Sequence, residues 1–494
     1  MPYLTWKSFD WKQDAWGIFE AIKDKQNVFF LDSSLRRPDL GRYSFLGFEP
    51  FCIFKAKGQK DSLNQLRTLL GRYRLTNTKF PFLGGAVGYL AYDFGLSLEN
   101  IEEKTKDDIG LPDVFFGFYD VVIAIDHWQK KLTIFSTGFP EKSSFLAKKR
   151  SEQRLKQFIQ ELSKQGRHSG CVTMSLRAPL ENFSNVKRVF LTGRGAAGDA
   201  AISKTSLLHP FGVRNDKLAI KPVSNFTKEK YLKAVTKAKD YIKKGDIYQV
   251  NLSQRFSAQT SLSSFDLYQK LRQVSPSDFS AYLACGDFQI ISSSPERFLS
   301  FDGKKVSTRP MKGTRPRGTN PRADARHKRD LLQSPKDKAE LLMIVDLLRN
   351  DLGRVCKYGS IKVSSMRALE AYSTVYQTTA SIEGVLHPEK DRLDLLKACF
   401  PGGSITGCPK IRSMEIIEEL EPTKRAIYTG SLGYFGFNNT MDLNILIRTI
   451  LKKSDKIYFQ TGGGIVSDSQ AENEYQETLT KAQGIFKTLK RGCL

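Results

Sequence analysis

A formal net charge of +25 on 494 residues invites a nucleic-acid partner, but the basic residues are spread along the chain without a recognisable nucleic-acid-binding motif. The charge therefore reads as surface composition that helps to attract a polyanionic small substrate, not as a binding stripe. The hydrophobic content of 40% is that of a globular chain able to bury a sizeable core. The length suggests roughly two to four domains. No apolar run reaches the about 18 residues of a membrane span, and the first residues lack the basic-then-apolar pattern of a secretory signal. Seven scattered cysteines without a Cys-x-x-Cys pair suit reduced thiols in a cytoplasm and argue against a zinc site or a disulfide framework.

Residues 1–163 read as a first module. A strand at 28–34 runs into a polar turn, and 41–47 alternates in character. Glycines in 82–93 mark close packing or tight bends. The aromatic and β-branched run 113–125 and the alternating 131–136 read as strands, and 144–162 has helical periodicity. The turn holding Asp32 and Ser33 is either structural or a place for a small amphipathic ligand. Residues 164–222 lack sustained periodicity and are rich in Ser, Gly, Lys and Arg, so they read as a linker or flexible insert.

The second module, 223–494, opens with a helix over 227–244 and a strand over 246–256. In that strand Tyr248, Val250 and Leu252 should face the core, leaving Gln249 and Asn251 toward solvent or a cleft. A helix at 265–273 and strands at 279–283 and 288–293 follow. Glu296 then stands at a strand end, either as the salt-bridge partner of Arg297 or as a general acid/base.

Residues 307–318 place one lysine, Lys312, before Gly313 and Thr314, with Arg309, Arg315 and Arg317 around it. Three neighbouring cations would disfavour the ammonium form, and a lysine attacks only as the neutral amine. The alternative is a basic surface loop. The helix predicted over 336–351 carries Asp337 and Glu340 on one face and an apolar stripe of Leu341, Val345 and Leu348. A second helix, from 471, repeats the device with Glu474, Glu477 and Lys481, just after a glycine run at 462–464. Two helices each offering paired carboxylates, in a chain without His/Cys clusters, suit a hard cation such as Mg²⁺. Acidic residues also favour helix N-termini for their own sake. Between these helices, 400–417 is a glycine-rich loop with Ser404 and Thr406, and Pro409 is expected at the first helical position. Runs 428–437 and 441–450 read as a hairpin turning at Asn438-Asn439. Its second strand carries Arg448 facing inward, where an arginine needs a carboxylate from the protein or a ligand.

In this order, these motifs resemble the chorismate-utilising enzymes: the anthranilate synthase large subunits, aminodeoxychorismate synthase component I, and the isochorismate and salicylate synthases. The resemblance is specific over about 223–490, and 1–163 looks like the N-terminal part of the anthranilate and aminodeoxychorismate members. It implies an α+β fold, an antiparallel β-sheet sandwich with surrounding helices and the site between the sheets. It implies that Glu340 and Glu477, backed by Asp337 and Glu474, ligate Mg²⁺, which holds the ring carboxylate of chorismate. Arg448, Tyr428 and the backbone near Gly462, with Lys481 nearby, would hold the enolpyruvyl carboxylate. Gly313, Thr314 and Ser404 would line the ring, and Asp32 and Ser33 would sit at the family's tryptophan pocket.

Gln249 stands where water-using relatives have a basic lysine, which favours ammonia as the nucleophile. Lys312 stands where anthranilate synthases have alanine and the aminodeoxychorismate branch has lysine. In that branch the lysine is thought to attack C2, Glu296 would be the general acid/base, and ammonia then displaces the lysine. The chain departs from many relatives at Gln377, where they have histidine. No glutaminase signature is visible, so ammonia would come from a separate glutamine amidotransferase chain or from solution. The alternatives are an anthranilate synthase with an unusual lysine, and a non-catalytic regulatory subunit that keeps the fold.

Overall fold

The computed structural model describes residues 3–37, 40–75, 80–169, 181–182, 220–372 and 375–490. Most of 164–222, read above as a linker or insert, lies outside the described residues. Among the described residues, two antiparallel sheets of thirteen and ten strands are joined by helices, the α+β sandwich expected. Both sheets take strands from either side of 164–222. In the larger sheet Phe29–Asp32 pairs with Phe279–Ala284, Leu31 opposite Ala281. In the smaller one Gly85–Leu90 pairs with Ser431–Gly436, Val87 opposite Tyr434. A buried cluster containing Phe29, Phe45, Val87, Phe115, Leu283, Ile290 and Tyr434 fills the space between the sheets. No helix among the described residues is long and apolar enough to cross a membrane.

Among the places where the chain passes from one sheet to the other are three short steps, two of them inside runs that look continuous in sequence. The run 113–125 divides at Asp120 into Val114–Tyr119 in the smaller sheet and Val121–Asp126 in the larger. All twelve of those strand residues are buried, so no in-out alternation announced the break. Asp120 is buried at the step and held by Arg150 at 3.1 Å and Arg154 at 3.3 Å. The second crossing lies between Phe288–Ser294 and Arg297–Phe301 and contains Glu296. The third corrects the hairpin reading. Its second strand stops at Met441–Asn444, and Thr449–Lys453 belongs to the other sheet. Arg448 lies in that link, not on a hairpin strand, with φ of 51°, a left-handed conformation that costs a non-glycine residue on the order of 1 kcal/mol or more. Ile445 N donates to Glu296 O at 3.0 Å and Ser293 N to Arg448 O at 3.2 Å, so the second and third crossings are tied together.

Local signals set the helices that flank this point. Pro335–Gly353 starts after Ser334, whose hydroxyl accepts from Asp337 N at 3.2 Å, a usual N-cap arrangement. Its Leu341, Val345 and Leu348 are buried. Helix Lys410–Leu420 has Pro409 as its cap, one residue before the first helical position expected for it. Tyr248 is 72% exposed, against expectation, because strand Gln249–Gln259 begins only after it.

Candidate active site

Strand Lys456–Ile465 pairs with Gln249–Gln259 and brings Gly462, Gly463 and Gly464 opposite Ser253, Leu252 and Asn251. Glycine weakens a strand interior, and a run of three marks a place where other groups approach the backbone. A Cβ on Gly464 would lie 2.8 Å from Gln249 Nε2 and 2.9 Å from Lys312 Nζ. One on Gly463, which faces the other way, would lie 3.2 Å from Glu474 Oε2 and 3.3 Å from Glu477 Oε1. An amine, an amide and two carboxylates therefore converge on one short piece of backbone. Gln249 is fully buried, and among the described residues neither end of its amide has a hydrogen-bond partner. Asn251 Oδ1, beside Gly462, is also buried and has no partner among them. Unpaired buried polar groups are costly, so these mark a surface shaped for a ligand.

Lys312 lies on strand Met311–Pro316, where Thr378 Oγ1 donates to its carbonyl at 2.5 Å. Its side chain is 17% exposed and its ammonium sits 3.0 Å from Glu340 Oε2. The three nearby arginines do not act on it as the sequence suggested. Arg309 pairs with Glu370 at 2.6 Å, Arg315 with Asp337 at 2.9 Å and Arg317 with Asp324 at 2.8 Å. Burial alone would lower the lysine's pKa, but Glu340, with Glu477 and Glu474, outweighs it and holds the amine above the usual lysine range. The expected depression is thus reversed: the arginines are neutralised by their own carboxylates, and the lysine faces three more.

Glu296, at the sheet crossing, is 5% exposed. Burial pushes its carboxyl up to about 7, against the lowering effects of the Ser404 hydroxyl and the Lys312 charge. Ser404 Oγ donates to Glu296 Oε1 at 2.7 Å. The carboxyl does not pair with Arg297, which instead holds Asp442 through two bonds at 3.0 and 2.9 Å.

Arg448 makes no ion pair with a carboxylate among the described residues. Burial pushes its pKa below the ordinary guanidinium value, and among the described residues its Nη2 donates only to Gln377 Oε1, at 3.4 Å. Gln377 Nε2 donates in turn to Thr314 Oγ1 at 3.2 Å. A glutamine thus links the arginine to the strand that carries Lys312, a role that the sequence did not suggest. Gly313 has φ of 75°, and a Cβ there would lie 3.1 Å from Asp337 Oδ1. Lys481 Nζ donates to Gly462 O at 3.0 Å and pairs with Glu477 at 2.6 Å. Tyr428 is buried, but its charged neighbours are Arg425 and Glu421, not Arg448. It belongs to a support behind the site, where Arg425 also donates to Asn251 O at 2.7 Å.

The four carboxylates expected to bind metal differ in their present partners. Asp337 is held by Arg315, Glu340 by Lys312, and Glu477 by Lys481. Glu474 Oε1 accepts from Ser469 at 2.6 Å, while its Oε2 is buried without a partner among the described residues. Burial raises the Glu474 pKa, whereas Lys481, Lys312 and Lys336 together outweigh burial and lower that of Glu477. No group of three or more His, Cys, Asp or Glu among the described residues is gathered as a ready-made metal cage. The all-oxygen donors and the orphaned Glu474 oxygen fit a hard cation bound through one or two carboxylates, with water and substrate oxygens completing the shell.

Asp32 and Ser33 do line a cavity, of about 230 Å³, between the two sheets. Asp32 is engaged by Arg272 at 2.6 Å and by Tyr268 at 3.1 Å, and Ser33 Oγ donates to Tyr43 O at 2.7 Å.

The crossings of this sandwich carry a buried acid and an arginine with no carboxylate partner among the described residues, beside an amine among carboxylates, a set of groups with the chemistry to bind a small carboxylated molecule. The chain belongs to the chorismate binding enzyme family, which matches residues 26–487. It is 35% identical over 488 residues to aminodeoxychorismate synthase component 1 of Bacillus subtilis, covering 96% of this chain and 94% of that one. It is 33% identical over 490 residues to anthranilate synthase component 1 of Acetivibrio thermocellus, covering 96% and 92%. The crystal structure of anthranilate synthase component I from Streptococcus pneumoniae superposes with a TM-score of 0.72 at 32% identity, over 92% of this chain and 93% of that one.

Proposed function

We propose that this chain is the chorismate-converting component of an aminodeoxychorismate synthase, making 4-amino-4-deoxychorismate from chorismate and ammonia. The observation that carries the reading is the shared approach of Lys312 Nζ and the Gln249 amide to Gly464. The amine stands where a bound ring would meet it, and the neighbouring amide is no base for activating water. Arg448, lacking a carboxylate partner among the described residues, receives the enolpyruvyl carboxylate, and Gln377 and Thr314 fix its orientation. Glu340 and Glu477, with Glu474 and Asp337 behind them, would hold Mg²⁺. When bound, it would supply positive charge for the ring carboxylate, with Glu340, now paired with the Lys312 ammonium, among the residues that would hold it.

The Lys312 ammonium first gives a proton to the Glu296 carboxylate, and the neutral amine then attacks ring C2. Both ring double bonds shift toward C4, and the C4 hydroxyl leaves as water with that proton from Glu296. Ammonia attacks C4 and passes a proton to Glu296, both double bonds shift back, and the Lys312 nitrogen leaves C2 as the neutral amine. The covalent step divides one difficult displacement into two, and a carboxyl with a pKa of about 7 can donate and then recover a proton near neutrality. Ammonia comes from a separate glutamine amidotransferase chain, in keeping with the "component 1" names of the relatives.

The test is incubation with chorismate, ammonium and Mg²⁺, followed by a pyruvate-releasing lyase. The expected product is 4-aminobenzoate. Anthranilate forming without the lyase would overturn the reading in favour of an anthranilate synthase. Conversion to neither product, in a chain whose Glu340→Gln variant still supports growth, would point to a non-catalytic subunit.

A further inference from the structure

A second cavity, of about 560 Å³, lies away from Lys312 and falls within the roughly 300–1,000 Å³ of small-molecule sites. Its walls are the end of helix Ser62–Arg72, the turn between strands Arg297–Phe301 and Lys305–Arg309, the loop leading into helix Arg392–Cys399, and the turn after Ser431–Gly436. Strand Val375–Val385 runs from Gln377 at the candidate active site to Val385 on this cavity. Those eight strand steps span about 26 Å at about 3.3 Å per residue, so the two sites are distinct.

The lining is strongly basic: Arg67, Arg74, Lys304, Lys357, Lys390 and Arg392. Arg67 occupies the two nearest carboxylates, Asp391 at 3.1 Å and Asp394 at 2.7 Å. Those same carboxylates cap helix Arg392–Cys399. None of the other five cations has a carboxylate ion pair among the described residues. Arg392 is the most telling of them. It is 6% exposed. Its Nη1 donates to Gly436 O at 2.6 Å and to Thr440 O at 2.7 Å, while Nε and Nη2 donate to nothing among the described residues. Burial, opposed by Asp391 and assisted by Arg74, pushes this guanidinium down to about 10. A buried charge with no ion pair of its own is costly, and a planar guanidinium with free N–H groups matches phosphate oxygens.

We propose that this cavity is a binding site for a small phosphorylated anion. Its phosphate sits on Arg392, with Arg74, Lys304, Lys357 and Lys390 around the rim. A concave site of this volume with five uncompensated cations favours a compact polyanion over an extended acidic peptide.

The test is isothermal titration calorimetry of the full chain with sodium tripolyphosphate at about 0.15 M salt, where long-range attraction is screened. We expect saturable one-site binding, weakened about tenfold or more by Lys304→Glu with Lys357→Glu. That double variant should keep the parent's thermal unfolding and chorismate turnover. Charge reversal at Lys233 and Lys487, exposed lysines on helices Lys228–Lys244 and Ala471–Thr488 that contribute nothing to the cavity lining, should leave binding as it was. No saturation below about 10 mM, a weak affinity on the usual scale, would overturn the proposal. So would equal binding in the Lys304/Lys357 variant, sulfate binding as tightly, or a glutamate-rich peptide binding where tripolyphosphate does not.

Discussion

Replacing Gly464 by alanine probes the crowding at the heart of the candidate site. The new Cβ would lie 2.9 Å from Lys312 Nζ and 2.8 Å from Gln249 Nε2, where ordinary contact is 3.4–4 Å. One or both side chains must therefore move by about 0.5–1 Å. Gln249 is fully buried, and Lys312, though 17% exposed, is tied to Glu340. Misplacement of a reacting group by about 1 Å costs on the order of 10²-fold in rate, or about 2.7 kcal/mol of barrier. Gly464 is in extended strand conformation, so alanine itself adds no backbone strain there. Steady-state turnover at saturating chorismate, ammonium and Mg²⁺, read beside urea unfolding, separates the catalytic loss from any loss of fold. We expect about a hundredfold fall in kcat with little change in stability. Gly463→Ala, whose Cβ would meet Glu474 and Glu477 at 3.2 and 3.3 Å, should be milder and should act mainly on the Mg²⁺ requirement. Turnover in Gly464→Ala within about threefold of the parent, well under the expected loss, would refute the proposed crowding of amine and amide.

Other consequences can be checked separately. Glu296→Gln should remove an ionisation near pH 7 from the rate profile. The folded pKa of Glu296, about 7, lies above its ordinary value of 4.5, so its contribution to stability is complete below about pH 4.5 and is lost as the pH rises through 7. Relative to the glutamine variant, the parent should lose up to about 3 kcal/mol across that window in urea unfolding; parallel curves would contradict it. Arg448→Gln should raise the KM for chorismate about 10²-fold, the effect of losing one side of a buried charge pair, and a KM near the parent's would place the carboxylate elsewhere. Arg425→Met should cost about 3–5 kcal/mol in unfolding, because it strands Glu421 from a pair buried at 2.7 Å; a loss under about 1 kcal/mol, typical of a surface pair, would mean the pair is dispensable. Tryptophan should raise the Tm if it enters the cavity lined by Asp32 and Ser33, and Ala281→Phe, which fills that cavity, should abolish the shift; no shift in the parent rules the pocket out.

The strands and helices that carry chemistry could be read from the sequence where one signal dominated. The helix at Pro335–Gly353 announced itself through the apolar stripe of Leu341, Val345 and Leu348. The sheet crossings could not be read, because a buried strand that changes sheets keeps the same apolar composition on both sides of the step. That is why the run through Arg448 looked like one strand. The electrostatics failed for a related reason. Arg309, Arg315 and Arg317 are close to Lys312 in the chain, but their partners Glu370, Asp337 and Asp324 come from other elements. Sequence distance gave the cations and hid the anions. The glycine run at 462–464 was visible, but its purpose appears only when Lys312, Gln249, Glu474 and Glu477 are brought onto it. The link from Gln377 to Arg448 and Thr314 spans three separate elements and left no local trace.

The decisive measurement is intact and peptide mass spectrometry after exposure to chorismate and Mg²⁺ with ammonia withheld. A covalent lysine predicts an increment equal to chorismate less one water, located on Lys312, lost when ammonium is added and absent from Lys312→Ala. An unmodified protein that nevertheless makes aminodeoxychorismate once ammonium is supplied would contradict it.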